Sequence, residues 1–307
     1  MQKYSIFNLI KNAFSGHQNW DLAWKDPTPK KEYDVVIIGG GGHGLATAYY
    51  LAKEHNITNV AIIEKGWIGG GNVGRNTTII RSNYMHDDNA LFSEFGMDLW
   101  RKMSQDLNYN VMFSPRGIIN LAHSDAQMNV YARRGNSMRL NGIDAVLLNR
   151  EQVKEIIPMA DFSENVRFPI FGGLMQPSAG TARHDAVAWG YARQADSMGV
   201  DIIQNCEVTG FDVSGGKING VRTSRGDIKV KKIGLCVAGS TNILAEKLNM
   251  TLPVETHLLQ ACVSEPVKPI LDRVVTFGAG HFYISQSDKG EMVMGGDLDG
   301  YNSYAQR

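Results

Sequence analysis

Two short apolar runs with a helical pattern between them stand out near the beginning of the chain. Residues Val35–Ile38 and Val60–Ile63 are compact apolar runs, which predict buried β-strands. Between the runs, apolar side chains recur every three or four positions, as on the buried face of a helix: Leu45, Ala48, Tyr49 and Ala52. Two buried strands joined by one helix predict a parallel βαβ unit.

The pattern farther along the chain predicts a mixture of helices and strands. Helical spacing occurs in four later segments: Ala90–Asp106, Asp125–Leu140, Arg150–Ile157 and Val187–Met198. Strand patterns occur at Val200–Val213 and Ile233–Ala238, in a hairpin within Val111–Ala122, around turns at Gly215-Gly216 and Arg225-Gly226, and over Leu258–Gly296 with a turn at Asp288–Gly290.

This order of elements predicts a two-domain α/β fold in which both domains are discontinuous. We expect the nucleotide-binding domain to comprise residues 32–88 and 155–250, and a strand-rich domain to comprise residues 89–154 and 251–307. Residues 1–31 form an N-terminal extension that contains several aromatic residues. Two interpretations of this extension stay open: it packs on a partner subunit, or it lies on its own domain.

Charge and cysteine content narrow the function classes. The 31 basic and 31 acidic residues cancel, which argues against a nucleic-acid partner or an anionic membrane surface. The three cysteines (Cys206, Cys236 and Cys262) lie far apart in apolar stretches, which predicts free thiols in a reducing compartment. No apolar run is long enough to span a membrane, and the N-terminus lacks the features of a secretory signal, so we expect a cytoplasmic protein without a metal site.

The turn after the first apolar run carries the candidate chemistry. It has the spacing Gly39-x-Gly41-x-x-Gly44, and Glu64 follows twenty residues after the last glycine, at the end of the second run. Such glycines let backbone amides approach a pyrophosphate at the positive end of a helix, and an acid at this distance accepts hydrogen bonds from a ribose. The spacing alone also occurs in ordinary glycine turns, but the strand–helix–strand context predicts dinucleotide binding.

Several longer stretches carry a resemblance to a known family. They are YDVVIIGGGGHGLATAYYLAKEHNITNVAIIEKGW, GGGNVGRNTTIIRSNY, TARHDAVAWGYARQAD, GVDIIQNCEVTGF and YISQSDKGEMVMG. In these stretches the chain resembles the β subunits of heterotetrameric sarcosine oxidases, within the glycine/D-amino-acid oxidase-like flavoenzymes. The resemblance implies a Rossmann-like FAD-binding domain, built as a three-layer ββα sandwich, beside a mixed-sheet substrate domain.

The resemblance also implies two flavins. FAD would be held non-covalently, and FMN would be attached covalently to His184. His184 begins a predicted helix after a small, flexible segment, where a helix terminus favours a neutral imidazole, although an isolated histidine there would ordinarily be a solvated residue. The residues expected to contact FAD are Gly39, Gly41, Gly42, His43, Gly44, Glu64, Asn72, Arg75, Thr77, Thr78, Ile79, Val208 and Gly239.

Three residues are candidates for the substrate site. Arg81 lies in an Ile-Ile-Arg context that, by resemblance, binds the substrate carboxylate, and a guanidinium matches a carboxylate with two parallel hydrogen bonds. The alternative for Arg81 is a surface salt bridge. Tyr283 and His281 are expected to line the substrate face of the flavin; the alternative for them is a simple core position.

The implied reaction is the oxidation of sarcosine to glycine and formaldehyde, or to methylenetetrahydrofolate on a partner α subunit. Electrons would pass from FAD to FMN to oxygen and give hydrogen peroxide, and the partners would be α, γ and δ subunits. Two alternatives stay open: a dehydrogenase for dimethylglycine or another N-methyl amino acid with a different acceptor, and an inactive, flavin-free chain.

The family pattern extends past residue 307. We therefore expect a C-terminally truncated fold, with a final glycine-rich FAD contact and a lysine near the flavin lying beyond Arg307.

Overall fold

The structure is a computed structural model that describes residues 5–18, 22–163, 165–257, 259–280 and 282–298. Its helices are α1 (Ile6–Phe14), α2 (Gly42–His55), α3 (Asp87–Asp106), α4 (Asp125–Leu140), α5 (Arg150–Ile156), α6 (His184–Ser197) and α7 (Thr241–Glu246). Its strands are β1 (Glu32–Ile38), β2 (Val60–Ile63), β3 (Ile79–Ile80), β4 (Ile118–Ala122), β5 (Val146–Asn149), β6 (Gly172–Gln176), β7 (Gly180–Thr181), β8 (Asp201–Ile203), β9 (Val208–Ser214), β10 (Lys217–Thr223), β11 (Ile228–Leu235), β12 (Leu259–Pro266), β13 (Val274–Phe277), β14 (Phe282–Gln286) and β15 (Glu291–Leu298).

The first sheet has six strands in the order β8-β2-β1-β11-β10-β9. The strands β8, β2, β1 and β11 are parallel, and β9 to β11 form an antiparallel meander. The predicted βαβ unit and the two turns of the meander are confirmed. The single long strand predicted over Val200–Val213 is wrong, because β8 pairs at one edge of the sheet and β9 at the other, so the chain must leave the sheet between them.

Helices α2 and α6 pack together on one face of this sheet. Their small side chains Ala48, Ala188 and Ala192 are fully buried, which lets the two helices and the strands approach closely. The opposite face is covered by a second apolar cluster to which the meander and Leu244 of α7 contribute. Both faces of the parallel strands are therefore buried, as their uninterrupted apolar sequences predict.

The second sheet is mixed and has seven strands in the order β12-β15-β14-β13-β4-β6-β5. Strands β4 and β13 are parallel, and the other neighbours are antiparallel. The predicted β14–β15 hairpin is confirmed. The predicted hairpin in Val111–Ala122 is wrong: Ser114 bridges to Thr181, and β4 pairs with β6 and β13 instead of with the residues just before it.

The fold class is thus an α/β fold with one mainly parallel and one mixed sheet. The exact domain boundaries stay a prediction. The predicted domain ranges and the observed sheets differ at one strand. Strand β6 lies inside the range 155–250 assigned to the nucleotide-binding domain, yet it pairs with β4 and β5 of the second sheet.

The N-terminal extension divides into two parts. Residues near its end contact the first sheet and α6: Lys30 pairs with Asp201 of β8 at 2.8 Å, and the Lys25 N–H donates to Asp196 of α6 at 3.0 Å. Helix α1 buries none of its side chains, and Phe7 and Phe14 are 80% and 90% exposed. In the part of the chain that the structure describes, every helix is too short or too polar to cross a bilayer.

Candidate functional site

The glycine turn forms the tight corner between β1 and α2. Gly39 has φ of 106°, and a Cβ on this residue would overlap the carbonyl oxygen of Cys236, which follows β11. A Cβ on Gly44 would overlap the carbonyl oxygen of Gly39. Only glycine fits at these two positions, because strand, helix and the neighbouring crossover meet there in backbone contact.

The N-terminus of α2 is open toward solvent. Gly41 caps the helix without a side-chain hydrogen bond, and the first turn contains no acidic residue. The unpaired N–H groups and the helix dipole therefore remain available for an anion, and the residues present fit a pyrophosphate. Gly42 begins the helix, and the His43 side chain is exposed in its first turn.

Glu64 lies across the turn at the end of β2. Its Oε2 accepts the Gly40 N–H at 2.8 Å, and its Oε1 accepts the Gly66 N–H at 2.8 Å. These two bonds fix the carboxylate while leaving further lone pairs for a ribose hydroxyl. Its backbone carbonyl accepts the Cys206 N–H at 2.9 Å, two residues before Val208.

The loop after β2 reaches the N-terminus of α2. A 3-10 helix, Asn72–Arg75, places Val73 so that its Cγ2 lies 3.8 Å from the Cβ position of Gly42. Asn72 and Arg75 are both exposed, and Arg75 Nη1 donates to the Gly70 carbonyl at 3.1 Å. These side chains therefore border the open helix end.

The same loop then runs toward the predicted flavin-attachment residue. Thr77 and Thr78 are partly buried, and Thr78 adopts φ of 68°. The Thr78 carbonyl accepts the Ala182 N–H at 3.2 Å, and Ile79 pairs with Thr181. One continuous segment thus connects the glycine turn with the residues that precede α6.

Gly239 lies in a short 3-10 helix after β11, and its carbonyl accepts the Thr256 hydroxyl at 3.3 Å. The Cys236 N–H donates to the Ile38 carbonyl at 2.8 Å, which holds the beginning of this crossover against the glycine turn. Burial raises the pKa of the Cys236 thiol, so this thiol stays protonated at neutral pH.

His184 is the first residue of α6, as predicted, and it is partly buried. Its Nδ1 atom is buried and has no hydrogen-bond partner among the described residues. Burial lowers the pKa of His184, which Asp185 opposes and the charges of Arg183 and Lys289 reinforce. The imidazole is therefore neutral at pH 7, and one of its ring nitrogens is buried without a partner among the described residues.

The N-terminus of α6 is already occupied by a carboxylate. Asp185 accepts the Ala186 N–H at 2.8 Å and forms a bidentate pair with Arg183 at 3.0 and 2.9 Å. Arg183 also pairs with Asp288 at 3.1 Å. The Arg183 guanidinium holds the pKa of Asp185 below its usual range. All three guanidinium nitrogens of Arg183 therefore donate to a carboxylate.

Arg81 follows β3 and borders an apolar groove of about 320 Å³. The groove lies between this segment and α3 and is lined by Ile79, Ile80, Phe92, Phe95, Leu99 and Trp100, among others. Arg81 lies 4.8 Å from the Tyr84 ring centre, and its Nη1 donates to the Asn83 side chain at 2.6 Å. Arg81 makes no ion pair with any described residue, so the structure does not bear out the surface salt bridge.

A second guanidinium lies near Arg81, and no sequence motif predicted it. Arg134 of α4 donates through Nε to the Asn83 backbone carbonyl at 2.6 Å, and its Nη2 donates to the same oxygen. Asn83 is fully buried, and its Nδ2 has no partner among the described residues. Burial lowers the pKa of Arg134, and the charge of Arg81 lowers it further. Asn83 could have been noticed two positions after Arg81, but no local pattern marks Arg134.

Tyr283 lies on β14, opposite Gly295 of β15, and its ring packs over the position where a Gly295 side chain would be. His281 lies outside the described residues. The structure therefore brings Glu64 and the Asn72–Arg75 segment beside the glycine turn, and the assignment of roles to individual site residues stays a prediction.

The chain is similar to known proteins in both sequence and fold. Residues 34–306 match the family described as FAD dependent oxidoreductase. The chain is 61% identical over 305 residues to "Sarcosine oxidase subunit beta" of Rhizobium meliloti (strain 1021), covering 99% of this chain and 73% of the relative. It is 52% identical over 307 residues to the protein of the same name from Rhodobacter capsulatus, covering 100% of this chain and 74% of the relative. The crystal structure of L-proline dehydrogenase from P. horikoshii is similar in fold, with a TM-score of 0.82, 26% identity, and coverage of 89% of this chain and 72% of that one.

Proposed function

Because the chain belongs to the FAD dependent oxidoreductase family, and within it to the sarcosine oxidase β subunits, we propose that it oxidises sarcosine as one subunit of a hetero-oligomeric enzyme. The observation that carries this proposal is the guanidinium of Arg81, which has no carboxylate partner among the described residues and borders an apolar groove. A small amino acid with an N-methyl group offers the carboxylate and the apolar end that such a site would bind.

The residues around the glycine turn would hold FAD without a covalent bond. The N–H groups at the start of α2 would bind the pyrophosphate, and Glu64 would accept the ribose hydroxyls. Asn72, Arg75 and the Thr77–Ile79 segment would lie along the cofactor, and Val208 and Gly239 would border it at the ends of β9 and β11. When bound, the flavins would supply the redox chemistry, with FAD taking up the reducing equivalents of the amine and FMN passing them to oxygen.

His184 would carry FMN covalently. Its neutral imidazole supports this assignment, because an imidazole nitrogen must be unprotonated to form a covalent bond. The ion pairs of Arg183 with Asp185 and Asp288 would hold the residue before His184 in place while the bond forms.

Arg81 would bind the sarcosine carboxylate through two parallel hydrogen bonds, and its stacking on Tyr84 would fix the plane of the guanidinium. Tyr283 and His281 are the further candidates for the substrate face. The protein's contribution to the reaction is position and charge: it orients the carboxylate so that the methyl carbon faces the flavin.

The overall reaction balances as sarcosine, oxygen and water giving glycine, formaldehyde and hydrogen peroxide. The one-carbon unit would alternatively pass to tetrahydrofolate on an α subunit. We propose α, γ and δ subunits as the partners, because the similar proteins are named as β subunits.

The deciding experiment is to purify the enzyme assembled with its partner subunits and to measure oxygen uptake and hydrogen peroxide with sarcosine. We expect one peroxide for each sarcosine consumed, and formaldehyde in the absence of tetrahydrofolate. Dimethylglycine and an artificial electron acceptor under nitrogen serve as the comparison. Turnover only in the presence of the artificial acceptor would identify the enzyme as a dehydrogenase instead of an oxidase. A colourless, inactive preparation would overturn the proposal.

A further inference from the structure

We propose that Arg134 and Asn83 are positioning residues that hold the Arg81 guanidinium in the orientation needed to bind a carboxylate. This inference rests on the proposed role of Arg81 in substrate binding. It concerns residues of α4 and of the segment after β3 that make no other identified contribution to the site.

The hydrogen bonds form a relay with Asn83 at its centre. Arg134 donates from Nε and Nη2 to the Asn83 backbone carbonyl, and the Asn83 side-chain oxygen accepts from Arg81 Nη1 at 2.6 Å. A guanidinium that donates from two nitrogens fixes both the distance and the direction of its acceptor, which a single ammonium donor does not. Arg134 therefore sets the backbone at residue 83, and residue 83 sets the rotation of Arg81.

The relay is anchored to the second sheet. A Cβ on Gly135, the residue after Arg134, would lie 3.1 Å from the Leu174 side chain, so α4 packs closely on β6. One turn farther along, the Ser137 hydroxyl donates to the Met85 carbonyl at 2.7 Å. Helix α4 thus holds the segment 81–85 through the Asn83 and Met85 carbonyls. Only Asn83 is also hydrogen-bonded to Arg81.

The charges favour an external anion at this point. Arg81 and Arg134 converge on one uncharged residue, and neither forms an ion pair with a carboxylate of the described chain. The acid that the neighbouring Ser82 contacts, Glu94, is already engaged by Arg101 at 3.0 Å and by the Ser82 hydroxyl at 2.6 Å. Two neighbouring guanidinium groups in partly buried surroundings repel each other, and an anion bound at Arg81 relieves that repulsion.

The test uses the flavin-loaded enzyme with its partner subunits and two substitutions. Arg134→Lys keeps the charge but removes the two-nitrogen contact, and we expect KM for sarcosine to rise about tenfold with kcat changed less than about twofold. Asn83→Asp places a carboxylate directly against Arg81, so it competes with the substrate, and we expect KM to rise roughly a hundredfold.

Binding is measured independently of turnover by calorimetric titration with butyrate, which has the shape and carboxylate of sarcosine but no amine. We expect the butyrate Kd to rise in parallel with KM in both variants. Butyramide, which lacks the charge, should bind all forms equally weakly. A purely structural role for Arg134 would not produce this distinction between charged and uncharged ligands.

Two control variants keep the result interpretable. Arg133→Lys changes the exposed neighbouring arginine, and Ser137→Ala removes the other attachment of the segment. Both should leave the butyrate Kd unchanged, and flavin content and thermal unfolding are measured for every variant. If Arg134→Lys does not fold, the KM for sarcosine and the butyrate Kd of Asn83→Asp are the deciding measurements. An unchanged Kd and KM in the folded variants overturns this inference alone, whereas a wild-type enzyme that does not oxidise sarcosine overturns the proposed function.

Discussion

The beginnings of α2 and α6 differ although the two helices pack against each other. At α2 the cap is a glycine, the first turn has no acid, and the positive helix end is open. At α6 the Asp185 carboxylate already occupies that end, Arg183 is fully paired, and the group presented is the neutral imidazole of His184. The first arrangement suits a reversible anion, and the second suits a covalent anchor from which other anions are excluded.

The difference comes from a few side chains. Glycine at the cap leaves the amides uncovered, whereas an acid at the second position of a helix satisfies them internally. Under the proposed function, two neighbouring helices of the same length would hold one cofactor through charge and the other through a covalent bond.

The largest effect is expected at the start of α6. His184→Ala should abolish covalent FMN, because it removes the nitrogen proposed to form the bond, while FAD remains bound. Acid precipitation followed by absorbance and peptide mass measurement tests this. As the matched variant, His43→Ala removes the exposed imidazole at the start of α2 and should leave the covalent flavin in place. Persistent FMN in the His184 variant would show that the anchor is elsewhere.

The next effect concerns the open end of α2. A Cβ on Gly41 would meet no atom of the protein within 4 Å, so Gly41→Ala should leave the unfolding free energy of the apoprotein unchanged. The added methyl would project toward the pyrophosphate, and we expect the FAD Kd to rise roughly a hundredfold. Gly44→Ala should instead destabilise the apoprotein itself, because its Cβ overlaps the Gly39 carbonyl. Flavin titration and chemical denaturation separate the two outcomes.

A smaller effect is expected from Glu64→Gln. One oxygen acceptor for the Gly40 and Gly66 amides is lost, so the unfolding free energy should fall by about 1–3 kcal/mol. FAD affinity should fall about tenfold, because an amide is a weaker acceptor for the ribose hydroxyls. Equilibrium denaturation and FAD titration measure these values, and an unchanged FAD Kd would place the ribose away from Glu64.

Whether the sequence predicted an element correctly depends on how far apart along the chain its interacting residues lie. The βαβ unit and the full extent of α4 follow from local periodicity, and both are confirmed. The strand over Val200–Val213 and the hairpin in Val111–Ala122 failed because strand pairing is decided by partners far along the chain, at opposite edges of one sheet or in the other sheet.

The candidate site shows the same limit. Gly39, Gly44 and Glu64 are identifiable because their roles require particular residues at fixed spacing. The contact between Arg134 and Asn83 joins residues 51 positions apart, and an arginine on a helix is ordinarily a solvated residue. Its burial and its bonds to a single carbonyl appear only once α4 is packed on the sheet.

The smallest effect concerns pH and the imidazole of α6. Burial lowers the pKa of His184 below its ordinary value of 6.5, so the unfolded chain binds the proton first as the pH falls. The wild-type chain without flavin should therefore lose stability relative to His184→Gln as the pH drops below about 6.5, and the difference should level off below the folded pKa. Denaturation curves between pH 5 and 8, a range of about 3 units around the histidine pKa, test this. A difference that grew toward high pH would contradict the stated direction.

The exposed helix Ile6–Phe14 has a practical consequence for work with the isolated polypeptide. Because Ile6, Leu9, Ile10 and Phe14 form an exposed apolar stripe, we expect the isolated chain to adhere to hydrophobic chromatography resin and to associate as it is concentrated. Removing the first eighteen residues would give a better-behaved sample for crystallisation and calorimetry, and both sheets would be left intact.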